Sequence, residues 1–168
     1  MTPRSALLPA APAAAHRPPQ RTAVRPAGPD DASALYRLSR AFVRTGELRA
    51  RSVADYARDA GDFLVAESAV RGVEGCGGLR CEPDAPRTAV VYNFCVAAAS
   101  QGRGVGTALL RALLAEAAAR SVGAVFTATS GSAALFLRHG FTVLDAATAD
   151  WPAGLDPRRG SRVLSLPL

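Results

Sequence analysis

The turn Gln-Gly-Arg-Gly-Val-Gly at residues 101–106 has the residue types needed to bind a phosphate group. It follows an apolar stretch ending at Val96 and precedes a run of alanine and leucine that is typical of a helix. Glycines let successive backbone N–H groups point toward one spot, where the positive end of the helix also lies. This turn, the cradle, is therefore predicted to hold a pyrophosphate.

Two common phosphate-binding motifs do not fit the cradle. Its glycines alternate, whereas the dinucleotide-binding motif has the spacing Gly-x-Gly-x-x-Gly. The loop of nucleotide hydrolases ends in Gly-Lys followed by Ser or Thr, and this chain has no lysine. The pattern that remains is Gln/Arg-x-x-Gly-x-Gly between a strand and a helix, and the alternative is an ordinary tight turn.

The elements around the cradle predict an α/β fold with a mixed sheet. Apolar residues alternate or run together in the predicted strands and recur at helical spacing in the predicted helices. Ser52 with Asp55 three residues later resembles a capping box and opens a helix. The predicted strands are residues 22–25, 63–66, 73–79, 89–96, 124–129, 141–144 and 161–166, and the predicted helices are 30–43, 52–61, 105–120 and 132–140.

The 168 residues suit one domain, which we place at residues 22–168. Residues 1–21 are rich in Ala, Pro and Arg and are expected to form a disordered leader, with a transit peptide as the alternative. Cys76, Cys81 and Cys95 lack the spacing of metal ligands, so no metal site is predicted. We interpret them as reduced thiols of a cytoplasmic protein, with a Cys76–Cys81 bridge as the alternative.

The net charge of +6 does not by itself indicate a nucleic-acid partner. All 20 basic residues are arginine, and with abundant Ala, Gly, Pro and Val this bias is typical of a high-GC bacterium. Four arginines lie in the first 25 residues, where no acid occurs, and the rest of the chain has 16 arginines against 14 acids. We expect no nucleic-acid partner and, because no apolar run is long enough to span a bilayer, no membrane partner.

Residues 89–144 resemble the core of the GCN5-related N-acetyltransferase (GNAT) family. The resemblance implies a mixed, mostly antiparallel sheet with a splayed central strand pair and flanking helices. It also implies acetyl-coenzyme A as co-substrate, with its pyrophosphate on the cradle and its pantetheine arm along the preceding strand. The segments that carry the resemblance are Tyr92–Val96, 101–106, Thr107–Arg120, Val125–Thr129 and Ala134–Phe141. The residues assigned to the cofactor are Phe94, Cys95, Val96, Gln101, Gly102, Arg103, Gly104, Val105, Gly106 and Thr107.

Residues 22–168 further resemble the acetyltransferase domain of bacterial N-acetylglutamate synthases, in the short form without an amino-acid-kinase-like domain. The segments concerned are 45–52, 62–67 and 159–164. The resemblance implies a small-molecule amine acceptor with carboxylates, namely L-glutamate in arginine biosynthesis. Forked guanidinium groups suit such an acceptor, because they bind carboxylates at two points. The acceptor residues assigned in this way are Arg51, Arg87, Arg159 and Ser161.

Two positions that bear on catalysis depart from the family pattern. Val90 replaces the acidic residue of the central strand, and Phe136 replaces the tyrosine that protonates the departing thiolate in many relatives. The catalytic hypotheses are then Tyr92, holding the water that takes the amine's proton, and Thr129, donating a hydrogen bond to the leaving sulfur. A packed strand aromatic is the alternative for Tyr92.

Two other functions fit the same residues. One is an N-acetyltransferase of a secondary-metabolite pathway, whose acceptor is another amino acid or a carboxylated hydrazine. The other is a coenzyme A-binding module without catalysis, which the departures at Val90 and Phe136 favour. A homodimer is compatible with each of these functions.

Overall fold

Seven strands in residues 22–145 and 149–168, the part of the chain that the computed structural model describes, form one mixed sheet. Its strands are β1 (Ala23–Pro26), β2 (Phe63–Ser68), β3 (Gly72–Glu82), β4 (Ala85–Val96), β5 (Ala124–Thr129), β6 (Thr142–Val143) and β7 (Arg162–Pro167). The order in the sheet is β1-β2-β3-β4-β5-β7-β6, and every neighbouring pair is antiparallel except β4 and β5. The predicted α/β fold with a mostly antiparallel sheet is confirmed. The predicted leader at residues 1–21 lies outside the described residues.

Helices cover both faces of this sheet. They are α1 (Ala32–Arg44), α2 (Val53–Arg58), α3 (Val105–Ala119) and α4 (Ala134–Arg138). On one face, Leu35 of α1 and Tyr56 of α2 are buried against Val65 of β2. On the other, Leu110 and Leu113 of α3 pack in a second buried cluster that α4 also joins. The sheet is therefore enclosed between two apolar layers, which hold its strands in a fixed position.

The predicted capping box at the start of α2 is present. The Ser52 hydroxyl accepts a hydrogen bond from the Asp55 N–H at 3.1 Å, and the Asp55 carboxylate accepts one from the Ser52 N–H at 2.9 Å. These two bonds satisfy N–H groups that the helix itself leaves unpaired. They also fix the end of the loop that connects α1 to α2, which borders the candidate site described below.

The β3–β4 hairpin is longer than the apolar pattern indicates. The two strands pair as far as Glu82 and Ala85, so the turn between them is confined to residues 83–84. Pro86 lies instead within a register shift between the pairs Cys81–Ala89 and Glu82–Ala85. Proline is tolerated at such a bulge because no ladder hydrogen bond is needed there. The predicted start of β4 at residue 89 is therefore wrong by four residues.

The parallel strands β4 and β5 part halfway along their length, at a point that we call the fork. Their pairing stops at Val91 and Thr127, and the Thr127 hydroxyl donates to the Val91 carbonyl at 3.0 Å. Just beyond the fork, Asn93 has φ +48°, and β4 carries one residue more than the opposing stretch of β3. This β-bulge turns β4 away from β5. The predicted splayed pair is thereby confirmed.

Leu110→Ala is expected to lower the free energy of unfolding by about 2–5 kcal/mol, because it leaves a cavity in a fully buried helix–sheet interface. The matched control Leu137→Ala removes the same atoms from a residue that is 45% exposed, and should cost less than about 1 kcal/mol. Urea denaturation followed by circular dichroism measures both. Equal losses in the two variants would contradict the core described above.

Candidate active site

A cavity of about 620 Å³, the large cavity, opens at the fork and extends to the cradle. Arg103, one of the residues assigned to the cofactor, is exposed in the cradle and does not line this cavity. Val105 does not line it either, since it is buried against Ala66 and Val96, where it anchors the first turn of α3. The assigned residues that do line it are Phe94, Cys95, Val96, Gln101, Gly102, Gly104, Gly106 and Thr107.

The cradle presents unpaired N–H groups at this cavity. Gly102 and Gly104 have φ +71° and +82°, a left-handed conformation that disfavours a side chain. The helical pairing of α3 begins with the Ala108 N–H, which donates to the Gly104 carbonyl at 2.9 Å. Gln101 ties the cradle to β4, because its Nε2 donates to the Val96 carbonyl at 3.0 Å. Unpaired N–H groups at the positive end of a helix suit an anion such as a pyrophosphate.

Two further features of the large cavity have no signal in the sequence. Arg138, the last residue of α4, lines the cavity and offers a cation to a phosphate. Phe94 and Phe136 pack edge to face with ring centroids 5.5 Å apart, and both line the cavity as an apolar wall. Arginine is too frequent in this chain for Arg138 to stand out, and the ring pair joins residues that are distant in sequence.

Tyr92 lies at the fork, but its hydroxyl donates to Asp62 Oδ2 at 2.8 Å. Burial and this hydrogen bond raise the pKa of Tyr92 above its ordinary value. The Tyr92 oxygen, whose proton is held by Asp62, can still accept a hydrogen bond from a water, and its catalytic role stays a prediction. The guanidinium groups of Arg51 and Arg80 lie over the Tyr92 ring, at 5.6 and 4.9 Å from its centroid. Tyr92 therefore organises two cations.

Thr129 ends β5 and lines the large cavity. Its Oγ1 accepts a hydrogen bond from the Gly131 N–H at 3.2 Å, which leaves the hydroxyl proton for another acceptor. The residue thus lies at the fork with a donor to spare. Its predicted role, donation to a leaving sulfur, is compatible with this position.

A second cavity of about 270 Å³, the cationic chamber, adjoins the large cavity. Four arginines line it together with Ser161, against two acids, Glu47 and Asp156. The arginines are Arg49, Arg51, Arg80 and Arg158. The residues that line both cavities are Glu47, Leu48, Tyr92, Asn93 and Ala128. A ligand in the chamber would therefore reach the fork directly.

Arg51 is held among aromatic rings at the wall of this chamber. Its guanidinium lies 5.4, 5.8 and 5.6 Å from the ring centroids of Tyr56, Phe63 and Tyr92, and it pairs with Asp59. The side chain is only 17% exposed, and its Nε has no hydrogen-bond partner in the described part of the chain.

Arg87 and Arg159 do not reach the chamber. Arg87 lies near the start of β4 beside Gly123, at the end of the strand remote from the fork. Arg159 is exposed in the turn that precedes β7. The expected convergence of these two with Arg51 is therefore not found. Arg80 and Arg158 line the chamber instead, each donating to a backbone carbonyl.

The thiols of Cys76 and Cys95 are buried 3.7 Å apart, and Cys81 is free, so the alternative Cys76–Cys81 bridge is not formed. In residues 22–145 and 149–168, no group of three or more His, Cys, Asp and Glu is placed to hold a metal ion. No helix in those residues is long and apolar enough to cross a membrane.

Sequence comparison identifies one family. A family model described as an acetyltransferase (GNAT) domain matches residues 59–143, about half of the 168-residue chain. Comparison with curated protein sequences gives no significant match.

Three solved structures illustrate the similarity of fold. N-acetylglutamate synthase from Neisseria gonorrhoeae, complexed with coenzyme A and N-acetyl-glutamate, has a TM-score of 0.76 and 19% identity over 88% of this chain and 35% of that chain. This chain thus spans about a third of that enzyme's length. Rv2747 from Mycobacterium tuberculosis, in complex with CoA and NLQ, has a TM-score of 0.72 and 24% identity over 87% and 99% of the two chains. Diaminobutyrate acetyltransferase from Paenibacillus lautus, in complex with L-2,4-diaminobutyric acid and coenzyme A, has a TM-score of 0.69 and 20% identity over 88% and 95%.

Gly104→Val is expected to weaken coenzyme A binding about tenfold or more, because a β-branched residue at φ +82° would displace the N–H groups of the cradle. The matched control is Gly72→Val, at φ +67° in the first residue of β3, which lines neither cavity. The Gly72→Val variant should lose a similar amount of stability and keep an unchanged dissociation constant for coenzyme A. Isothermal titration calorimetry with coenzyme A measures both. Equal weakening in the two variants would contradict the cradle as the anion site.

Proposed function

Because this chain belongs to the GNAT family of acetyltransferases, we propose that it transfers the acetyl group of acetyl-coenzyme A to the amine of a dicarboxylic amino acid, L-glutamate above others. The observation that supports this choice of acceptor is the cationic chamber, which opens onto the large cavity at the fork. Arg49 and Arg51 pair with Asp156 and Asp59, whereas Arg80 and Arg158 form no ion pair in the described residues, so the carboxylates of the acceptor would complement them.

Acetyl-coenzyme A is proposed to occupy the large cavity. Its pyrophosphate would meet the N–H groups of residues 102–107, with Arg138 as a further cation. Its pantetheine arm would run along Phe94–Val96, the stretch of β4 that has no partner in β5. The thioester would then lie at the fork beside Thr129, where the chamber opens. Placing amine and thioester together in this way supplies much of the acceleration.

Arg51 and Arg80 are the proposed ligands of the acceptor's carboxylates. Both lie over the Tyr92 ring, which keeps them beside the fork. Arg51 has a buried Nε without a partner in the described residues, and Ser161 adds a hydroxyl to the same chamber. The planar guanidinium meets a carboxylate at two points, which an ammonium group cannot do. The chamber thereby favours an acceptor with carboxylates by its geometry as well as by its charge.

Two of the similar structures support an amino-acid acceptor, since they hold N-acetyl-glutamate and L-2,4-diaminobutyric acid. The second ligand has one carboxylate and two amines, so the charge of this chamber favours the dicarboxylate. Arginine biosynthesis as the pathway, a cytoplasmic location and a homodimer stay predictions from the sequence.

The function is tested by coenzyme A thiol release with a panel of amines. The panel contains L-glutamate, L-aspartate, L-glutamine, L-2,4-diaminobutyrate, a carboxylated hydrazine and an aminoglycoside. L-Glutamate is expected to give the highest kcat/KM. A preference for the hydrazine or another amino acid would favour the secondary-metabolite alternative. Coenzyme A binding without turnover of any amine would favour the non-catalytic module.

Arg80→Ala is expected to raise the acceptor KM about tenfold or more, because hydrogen bonds between charged groups contribute about 1.5–3 kcal/mol each. Arg51→Lys keeps the charge but loses the two-point contact, and should also raise the acceptor KM. The matched control is Arg111→Ala, which removes an exposed arginine from α3. Steady-state kinetics should show an unchanged KM for acetyl-coenzyme A in all three. Unchanged acceptor KM values in the first two would refute this assignment.

A further inference from the structure

We propose that Glu47 is the general base that takes a proton from the acceptor's ammonium group. This inference rests on the proposed function, because it requires an amine acceptor. Glu47 lies in the loop between α1 and α2 and lines both the large cavity and the cationic chamber. Of the residues in the described chain that line both cavities, it alone has a carboxylate. It is therefore placed where an amine leaving the chamber would meet the thioester.

The two carboxylate oxygens of Glu47 have different surroundings. Oε1 accepts a hydrogen bond from the Thr45 hydroxyl at 2.7 Å. Oε2 lies 3.0 Å from the point that a Cβ on Gly131 would occupy, and Thr129 Oγ1 lies 3.8 Å from the same point. One oxygen is thus anchored by Thr45. The other oxygen and the Thr129 hydroxyl both border Gly131.

The backbone that carries Glu47 is fixed from two directions. The N–H groups of Glu47 and Leu48 both donate to the Phe42 carbonyl, at 2.8 and 3.1 Å. The Arg158 guanidinium donates to the carbonyls of Gly46 and Leu48, which flank Glu47 in the chain. A base held in this way needs little reorganisation during the reaction.

The other acids near the fork are already engaged. Asp62 accepts from the Tyr92 hydroxyl, and Asp156 pairs with Arg49 at 2.6 Å. Strand β4 itself offers no acid, since Val90 is apolar and 1% exposed. Glu47 forms no ion pair with any residue in the described ranges. The charged groups that line the chamber beside Glu47 are Arg49, Arg51, Arg80, Asp156 and Arg158.

In the proposed step the acceptor's nitrogen gives up two protons and replaces sulfur on the acetyl group. One ammonium proton passes to the Glu47 carboxylate, and the nitrogen lone pair forms the C–N bond at the carbonyl carbon. The C–S bond breaks, and a second proton from the same nitrogen reaches the departing sulfur through the Thr129 hydroxyl. The products are the N-acetylated amino acid, coenzyme A with a free thiol, and one proton that Glu47 returns to solvent.

Glu47→Gln keeps the shape of the side chain but cannot accept a proton. At neutral pH we expect kcat/KM for L-glutamate to fall about 100-fold, with an unchanged coenzyme A dissociation constant. The deficit should shrink as the pH rises through the pKa of the acceptor's amine, because solvent then removes the proton. The matched control Asp84→Asn makes the same chemical change in the exposed β3–β4 turn, and should leave kcat/KM unchanged.

A second variant tests the position of the carboxylate. Gly131→Ala places a methyl group 3.0 Å from Glu47 Oε2, so the carboxylate must shift, and kcat should fall several-fold with little loss of stability. If kcat/KM of the Glu47→Gln enzyme stays within about threefold of wild type, or if its deficit does not change with pH, the role of Glu47 is overturned. The proposed function is then unaffected. If the wild type prefers another amine, the same pH series with that amine tests whether Glu47 is the general base. If it acetylates no amine, the proposed function fails and this role fails with it.

Discussion

The parting of β4 and β5 is the constraint on which the rest of the structure depends. Parallel strands are stabilised by a continuous ladder of hydrogen bonds, and here the ladder ends at Val91 and Thr127. The Thr127 hydroxyl satisfies the Val91 carbonyl at that point, and the bulge at Asn93 directs β4 away. The large cavity and the cationic chamber both open there. A continuous sheet of the same strands would cover the backbone edge that a bound cofactor needs.

Positive charge is supplied to the two cavities in different ways. The cradle uses backbone N–H groups at a helix end, which glycines can present in a chain without lysine. The chamber uses guanidinium groups, and Asp59 and Asp156 offset part of their charge. The Tyr92 ring contacts both Arg51, which pairs with Asp59, and Arg80, which forms no ion pair in the described residues. The charge of Arg80 is thereby left for a ligand.

Features built from neighbouring residues can be predicted from the sequence, and those built from distant residues cannot. The cradle and the Ser52 capping box are each contained in a few consecutive residues, so their chemistry is visible in the printed chain. The arginines of the chamber come from two loops and a strand, and in the sequence they look like any others. Arg87 lies outside the chamber because β4 begins at Ala85, which places this residue at the end of the hairpin remote from the fork. Arg80 lies opposite Val90 in β3, which only the sheet register reveals.

A proton acceptor is better placed in the loop at Glu47 than on strand β4 at Val90. Val90 is 1% exposed and packs with Leu155 and Val163, so a carboxylate there would lose its hydration even without an acceptor. Glu47 is exposed, and it would lose water only when an acceptor fills the chamber beside it. Binding of the acceptor's carboxylates by the arginines would then also bring its ammonium group to the carboxylate. Acceptor recognition and proton transfer would therefore depend on the same contacts, with no moving lid.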